Sequence, residues 1–377
     1  MTERRLDYID NIRILLTTVV ILNHLAITYG APGGWYYREF EVTELSLIPM
    51  AALVLFAAAN QAYSMGFFFL LSGYFSAKSS STKMIRTFYF QRLVRLGIPV
   101  LIFVYFVSPI LRLSFRRIAY NIPVNLENVF SVYKQIKFGY ELGPMWFIML
   151  LLIFSFFLPL FIKGISESTH KINIPGRYSI ILAAIFVGLL TFLVRIRFPI
   201  GAVFQPLNIQ VANLMQYIFM FCAGVFIYLA GWLEKLPSIS LKFWLPFTIG
   251  IIIFMPILFF LFGGASGDVN HALGGFTWQS FVLSIWEQIF CISMAATLLS
   301  FFYSYLNRNT GITRELTASS YATFIFHPLI LVILSSSLQD LHYPPLLKIT
   351  LLAIPTLVLC FFTSSLLRRI PGLKSIL

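Results

Sequence analysis

The chain is predicted to fold as an all-α, polytopic membrane bundle of about ten transmembrane helices, and three observations predict it. Hydrophobic residues make up 59% of its 377 residues and charged ones only 11%, too few to solvate the surface of a soluble domain. The apolar residues gather into ten stretches, each long enough to cross about 30 Å of hydrocarbon as a helix. The Lys and Arg residues lie mostly in the short connections between those stretches, where membrane topology places them. The formal net charge of +13 comes with no separate basic arm, so membrane lipids are expected as partners and nucleic acid is not.

The spans are placed at 12–31, 47–76, 96–114, 144–163, 178–196, 211–231, 243–263, 279–303, 318–338 and 346–367. Met1 to Asp10 is polar and charged, and no small-residue cleavage site follows the first run, so that run is expected to persist as a helix. The second is longer than one crossing needs, which implies tilt or a preceding interfacial segment. A cytoplasmic N-terminus collects on that side 18 of the 27 Lys and Arg, among them Arg4, Arg5, Lys171, Lys235 and Lys374. Both termini are therefore predicted in the cytoplasm, with the acidic loop Trp35 to Glu44 outside. The sequence carries no internal repeat and no appended soluble domain. Residues 1–377 read as one transmembrane domain of a multi-pass cell-membrane protein. Cys222, Cys291 and Cys360 fall in apolar runs without CxxC or Cys/His spacing, and support neither a disulfide framework nor a metal site.

Polar side chains inside such runs are costly, and they single out the functional candidates. Arg13 and His24 share the first run. Eleven positions turn a helix by about 1100° and raise it roughly 16 Å, so both face the same way, like two ends of one elongated ligand site. Asp10, three residues before Arg13, supports the competing reading of that arginine as a snorkelling topology determinant. Arg92 and Arg95 lie three apart on a helical turn before Pro99, beside Lys83 and Arg86. Ser72 and Gly73 form a small pair in an apolar helix, open to close helix packing or to a thin ligand. Glu287, in the eighth span, needs a cation or an imidazole from another helix, or a proton. His327 precedes Pro328, which should kink the ninth span and free a backbone carbonyl.

These residues sit in segments that resemble the membrane-bound acyltransferase 3 superfamily, which includes glucan-modifying and O-antigen-modifying acyltransferases. The resemblance runs over essentially the whole chain. It is carried by RLDYIDNIR (Arg5 to Arg13) followed after ten residues by His24, by MGFFFLLSGYF (Met65 to Phe75) and by FQRLVRLGIP (Phe90 to Pro99). GPMWF (Gly143 to Phe147), SIWEQ (Ser284 to Gln288) and SYATFIFHP (Ser320 to Pro328) echo it more weakly. Some relatives carry a histidine before the Trp-Phe pair of the fourth helix. Pro144 and Met145 stand there in this chain, so no role of that histidine carries over.

The resemblance implies transfer of an acyl group, acetyl or succinyl, from acyl-CoA to a hydroxyl of an exported carbohydrate or lipid-linked glycan. Acyl-CoA is then a co-substrate, and no tightly bound cofactor is expected. Such chemistry needs a base for the acceptor proton, support for the oxyanion and a cradle for the donor's phosphates. His24 suits the base, because its reference pKa is near neutral and an intramembrane site tends to keep it uncharged. A covalent acyl-imidazole is compatible with this but not required. Arg13, Arg92 and Arg95 suit the phosphates, although positive-inside topology explains Arg92 and Arg95 equally well. Glu287 is the candidate to orient His24 or assist its proton transfer. Ser72, Asp10 and His327 are candidate substrate contacts. The alternative is a secondary transporter of a small anion or lipid-linked sugar, which would use the same Arg, His and Glu for coupling; such proteins usually show internal repeats.

Overall fold

A computed structural model describes residues 6–163, 173–233, 240–373 and 376. Arg4, Arg5, Lys171, Lys235 and Lys374 lie outside the described residues. Among the described residues, ten helices are long and apolar enough to cross a membrane. They are α1 (Asp7–Thr28), α2 (Leu47–Ser81), α3 (Ile85–Ile118), α4 (Gly143–Ile162), α5 (Arg177–Arg197), α6 (Val211–Leu229), α7 (Leu241–Leu261), α8 (Trp278–Tyr305), α9 (Gly311–Ser337) and α10 (Pro345–Leu367). Each predicted stretch lies on one of them. The chain is a multi-pass, all-α membrane protein; a two-residue strand pair, Val203–Phe204 with Ile209–Gln210, decorates the α5–α6 connection.

The largest departure from the predicted boundaries is at α3, which begins at Ile85 rather than 96. Phe88 is buried, so this stretch packs as helix despite its arginines, whose long stems let the charged heads reach the rim. Two widened π turns, Leu93–Gly97 and Phe103–Val107, interrupt the rod. Such turns leave carbonyls short of a regular intrahelical donor. Tyrosine hydroxyls serve both: Tyr321 of α9 donates to the Arg95 carbonyl at 2.7 Å and Tyr133 donates to that of Tyr105 at 3.1 Å.

Burial sorts the helices into inner and outer ones. The central windows of α2 and α9 are 61% buried, against 28% for α5, α7 and α10. Small residues set the closest contacts, as they must where lipid competes with every apolar side chain. A Cβ at Gly73 of α2 would fall on the Phe221 carbonyl of α6, and one at Gly224 of α6 on the Leu70 carbonyl of α2. Gly188 of α5 lies against α8, where a Cβ would come 2.8 Å from the Ile285 Cα. α1 packs against α2, α8 and α9.

Candidate active site

Pro328 sits inside α9 and lacks the N–H that would bond to the carbonyl four residues back, that of Phe324. His327 uses the carbonyl so released: its Nδ1 lies 2.8 Å from the Phe324 oxygen. A carbonyl only accepts, so Nδ1 of His327 carries the proton and, in the neutral ring, Nε2 keeps its lone pair. That Nε2 lies 3.0 Å from Nδ1 of His24 on α1. His24 then donates through Nδ1 and, in the neutral ring, keeps its own Nε2 unprotonated. A proline, a carbonyl and two imidazoles thus define the tautomer of His24 over 303 residues of sequence separation.

The local folding of α1 delivers a third ring. Gly30 has φ +111°, and the chain ends the helix in a Schellman arrangement, with Gly30 N donating to Ile27 O at 3.3 Å and Ala31 N donating to Ala26 O at 2.9 Å. The reversal brings Trp35 back over the helix it has just left. Its indole stacks on the His24 imidazole with centroids 4.0 Å apart and planes 13° from parallel. The loop predicted to lie outside therefore turns partly into the bundle. It is held there by Glu39, whose N–H donates to the Thr28 carbonyl at 2.8 Å and whose carboxylate pairs with the buried Lys348 of α10. Tyr36 packs where a Cβ on Gly143 would fall. Burial raises the Tyr36 phenol above the usual tyrosine range and the neighbouring Glu141 carboxylate raises it further, while Arg112 pulls it back. Glu141 is buried between Arg112, with which it forms an ion pair, and the Ser108 hydroxyl, which donates to it at 2.6 Å.

A second polar cluster spans α5, α6 and α8. Arg195 is fully buried and donates to Glu287 at 2.5 Å, Asn213 Oδ1 at 2.7 Å, Ala212 O at 3.3 Å and Ser284 Oγ at 3.4 Å. Asn213 reaches Gln210, which accepts from Gln61 of α2. Glu287 has thus found its cation, and among the described residues no hydrogen bond joins it to His24. The orienting partner of His24 is His327, which the sequence suggested only as a substrate contact.

The remaining candidates lie apart from the imidazoles. Arg13 is partly exposed and pairs with Asp10 at 3.4 Å, near the start of α1, which Asn11 ties to the α8–α9 connection through the carbonyls of Leu306 and Arg308. Arg92 rests on the Phe88 ring at 5.2 Å, and Arg95 is exposed. Ser72 is half-buried beside Gly73, whose own role is helix packing. Arg195 and Trp35 are absent from the sequence candidates. A cation within the fifth apolar run was the available signal for Arg195; nothing local marks Trp35, because its partners come from α1 and α9.

The imidazole pair joins two of the ten candidate membrane helices of a polytopic protein. A family profile described as an acyltransferase domain matches residues 6–365; the chain belongs to the acyltransferase 3 family and is a membrane acyltransferase. Searches of curated proteins and of solved structures returned no significant match.

Proposed function

We propose that this protein moves an acetyl or succinyl group from acyl-CoA to a hydroxyl of an exported carbohydrate or lipid-linked glycan, with His24 as general base. The observation that carries the reading is the hydrogen-bond chain from Phe324 O through His327 to His24, which leaves Nε2 of His24 able to accept a proton. In the transfer, the acceptor's O–H proton passes to His24 Nε2 as its oxygen bonds to the thioester carbonyl carbon. The carbon–sulfur bond then breaks, the ester is complete, and the CoA thiolate takes up the proton. The imidazolium would share its charge with His327 and, through it, with the Phe324 carbonyl.

Ten crossings put both termini on one side, and the excess of Lys and Arg assigns that side to the cytoplasm. Arg13, Arg92 and Arg95 then lie at the inner mouth, where the donor's phosphates arrive, and His24 lies in the outer half. The roughly 16 Å between Arg13 and His24 along α1 is comparable with an extended pantetheine arm. The acceptor meets the acyl group from the outer side of a bacterial plasma membrane. Glu287, on this reading, does not touch the reacting groups; it holds α8 to α5.

The test is the detergent-purified chain with acetyl-CoA or succinyl-CoA, scored for CoA release with and without a glycan extract. His24→Ala is expected to lower turnover about 10³-fold or more while acyl-CoA still raises the thermal midpoint. Unchanged turnover in that variant would overturn the assignment of the base.

A further inference from the structure

We propose that Trp35 is a positioning residue whose indole face, stacked on the His24 imidazole, supports the positive charge that His24 acquires during transfer. The inference rests on the reading of His24 as base. Its own grounds are geometric. The indole lies 4.0 Å from the His24 ring centroid and 5.9 Å from that of His327, with all three planes within 20° of one another. A cation within about 6 Å of an aromatic face is attracted by the ring quadrupole, and most strongly where water is excluded. A neutral imidazole gains much less. The stack is therefore worth more once His24 holds the proton, which is the condition for accelerating the step and not merely tightening the ground state.

Among the described residues, the largely buried carboxylates of the ion pairs are each already committed: Asp10 to Arg13, Glu39 to Lys348, Glu141 to Arg112 and Glu287 to Arg195. Among the described residues no carboxylate hydrogen-bonds to either imidazole. Where many histidine bases rely on an acidic partner, this one has a carbonyl at the far end of the chain and a ring against its face. The ring is also firmly placed, by the Gly30 turn, the Glu39–Lys348 pair and the packing of Tyr36 on Gly143. A merely covering residue would need none of that placement.

The experiment compares Trp35→Leu, Trp35→Phe and His24→Ala with the unsubstituted full chain, using acetyl-CoA and the glycan extract. Trp35→Leu is expected to lower kcat about 10- to 30-fold with KM for acetyl-CoA within about twofold and no change in thermal midpoint. Trp35→Phe, which keeps an aromatic face, should recover most of that loss. Should Trp35→Leu not purify as folded protein, Trp35→Met reads the same loss. Full kcat in Trp35→Leu beside an inactive His24→Ala overturns the role of Trp35 alone. Equal losses in the Phe and Leu variants also overturn it, since the ring face would not be the acting feature. Full activity in His24→Ala overturns the base and this inference together.

Discussion

The Arg195–Glu287 cluster and the His24–His327 pair lie in the same bundle and differ in chemical state. In the Arg195–Glu287 cluster the charges are paired: the guanidinium donates to four partners, one of them the carboxylate. In the His24–His327 pair, with both rings neutral, the hydrogen-bond chain ends on a nitrogen left over for a proton. Within a membrane, formal charge therefore does not by itself mark the reactive place. A buried ion pair offsets its desolvation by committing its charges to each other and to further hydrogen bonds, whereas a reacting base must keep one lone pair uncommitted.

The contrast breaks most violently at Arg195. Replacing Arg195 with Leu leaves Glu287 unpaired and should cost about 3–5 kcal/mol, seen as a large drop in thermal midpoint or in folded yield. Adding Glu287→Leu to it should restore much of that stability, and turnover with it. Recovery of stability without turnover would give Glu287 a part in the chemistry after all.

At the other cluster the expected effects run in the reverse sense, on rate more than on stability. His327→Phe removes the acceptor for His24 Nδ1–H and should lower kcat about 10- to 100-fold, the worth of one hydrogen bond to a charged group. His327→Gln, which can still accept there, should recover part of it. Pro328→Ala returns an N–H that competes for the Phe324 carbonyl and should lower kcat a few-fold, about the loss of a modest hydrogen bond. An unaltered rate in both His327→Phe and Pro328→Ala would show that the tautomer of His24 does not depend on this chain.

The smallest effect is expected at the opposite rim. Arg92→Ala and Arg95→Ala should each raise KM for acetyl-CoA about three- to tenfold, as for one exposed charge-assisted contact, with kcat little changed. Neither should alter KM for S-acetylpantetheine, which lacks the phosphates. Equal shifts for both donors would return these arginines to topology alone.

Much of this architecture was legible in the chain. All ten spans could be placed, because burial in lipid demands long apolar runs and tolerates few exceptions. The exceptions themselves, Arg13, His24, Glu287 and His327, stood out for the same reason. Their partnerships did not. Glu287 required a cation or an imidazole, and only the close approach of α5 to α8 at Gly188 decided for Arg195. Ser72 and Gly73 allowed ligand or packing, and the reciprocal seating of Gly73 and Gly224 shows what the glycine does.

What the sequence determined by itself was the class of molecule, the helices, and the carbonyl that Pro328 must release, since each follows from local covalent chemistry and from the solvent the helices face. What only the tertiary structure decided was which rings meet: His327 with His24, and Trp35 over both. Those contacts join residues from α1, the loop that follows it and α9. No periodicity records such a meeting, because it depends on how helices are arranged around one another and not on how any one of them is built.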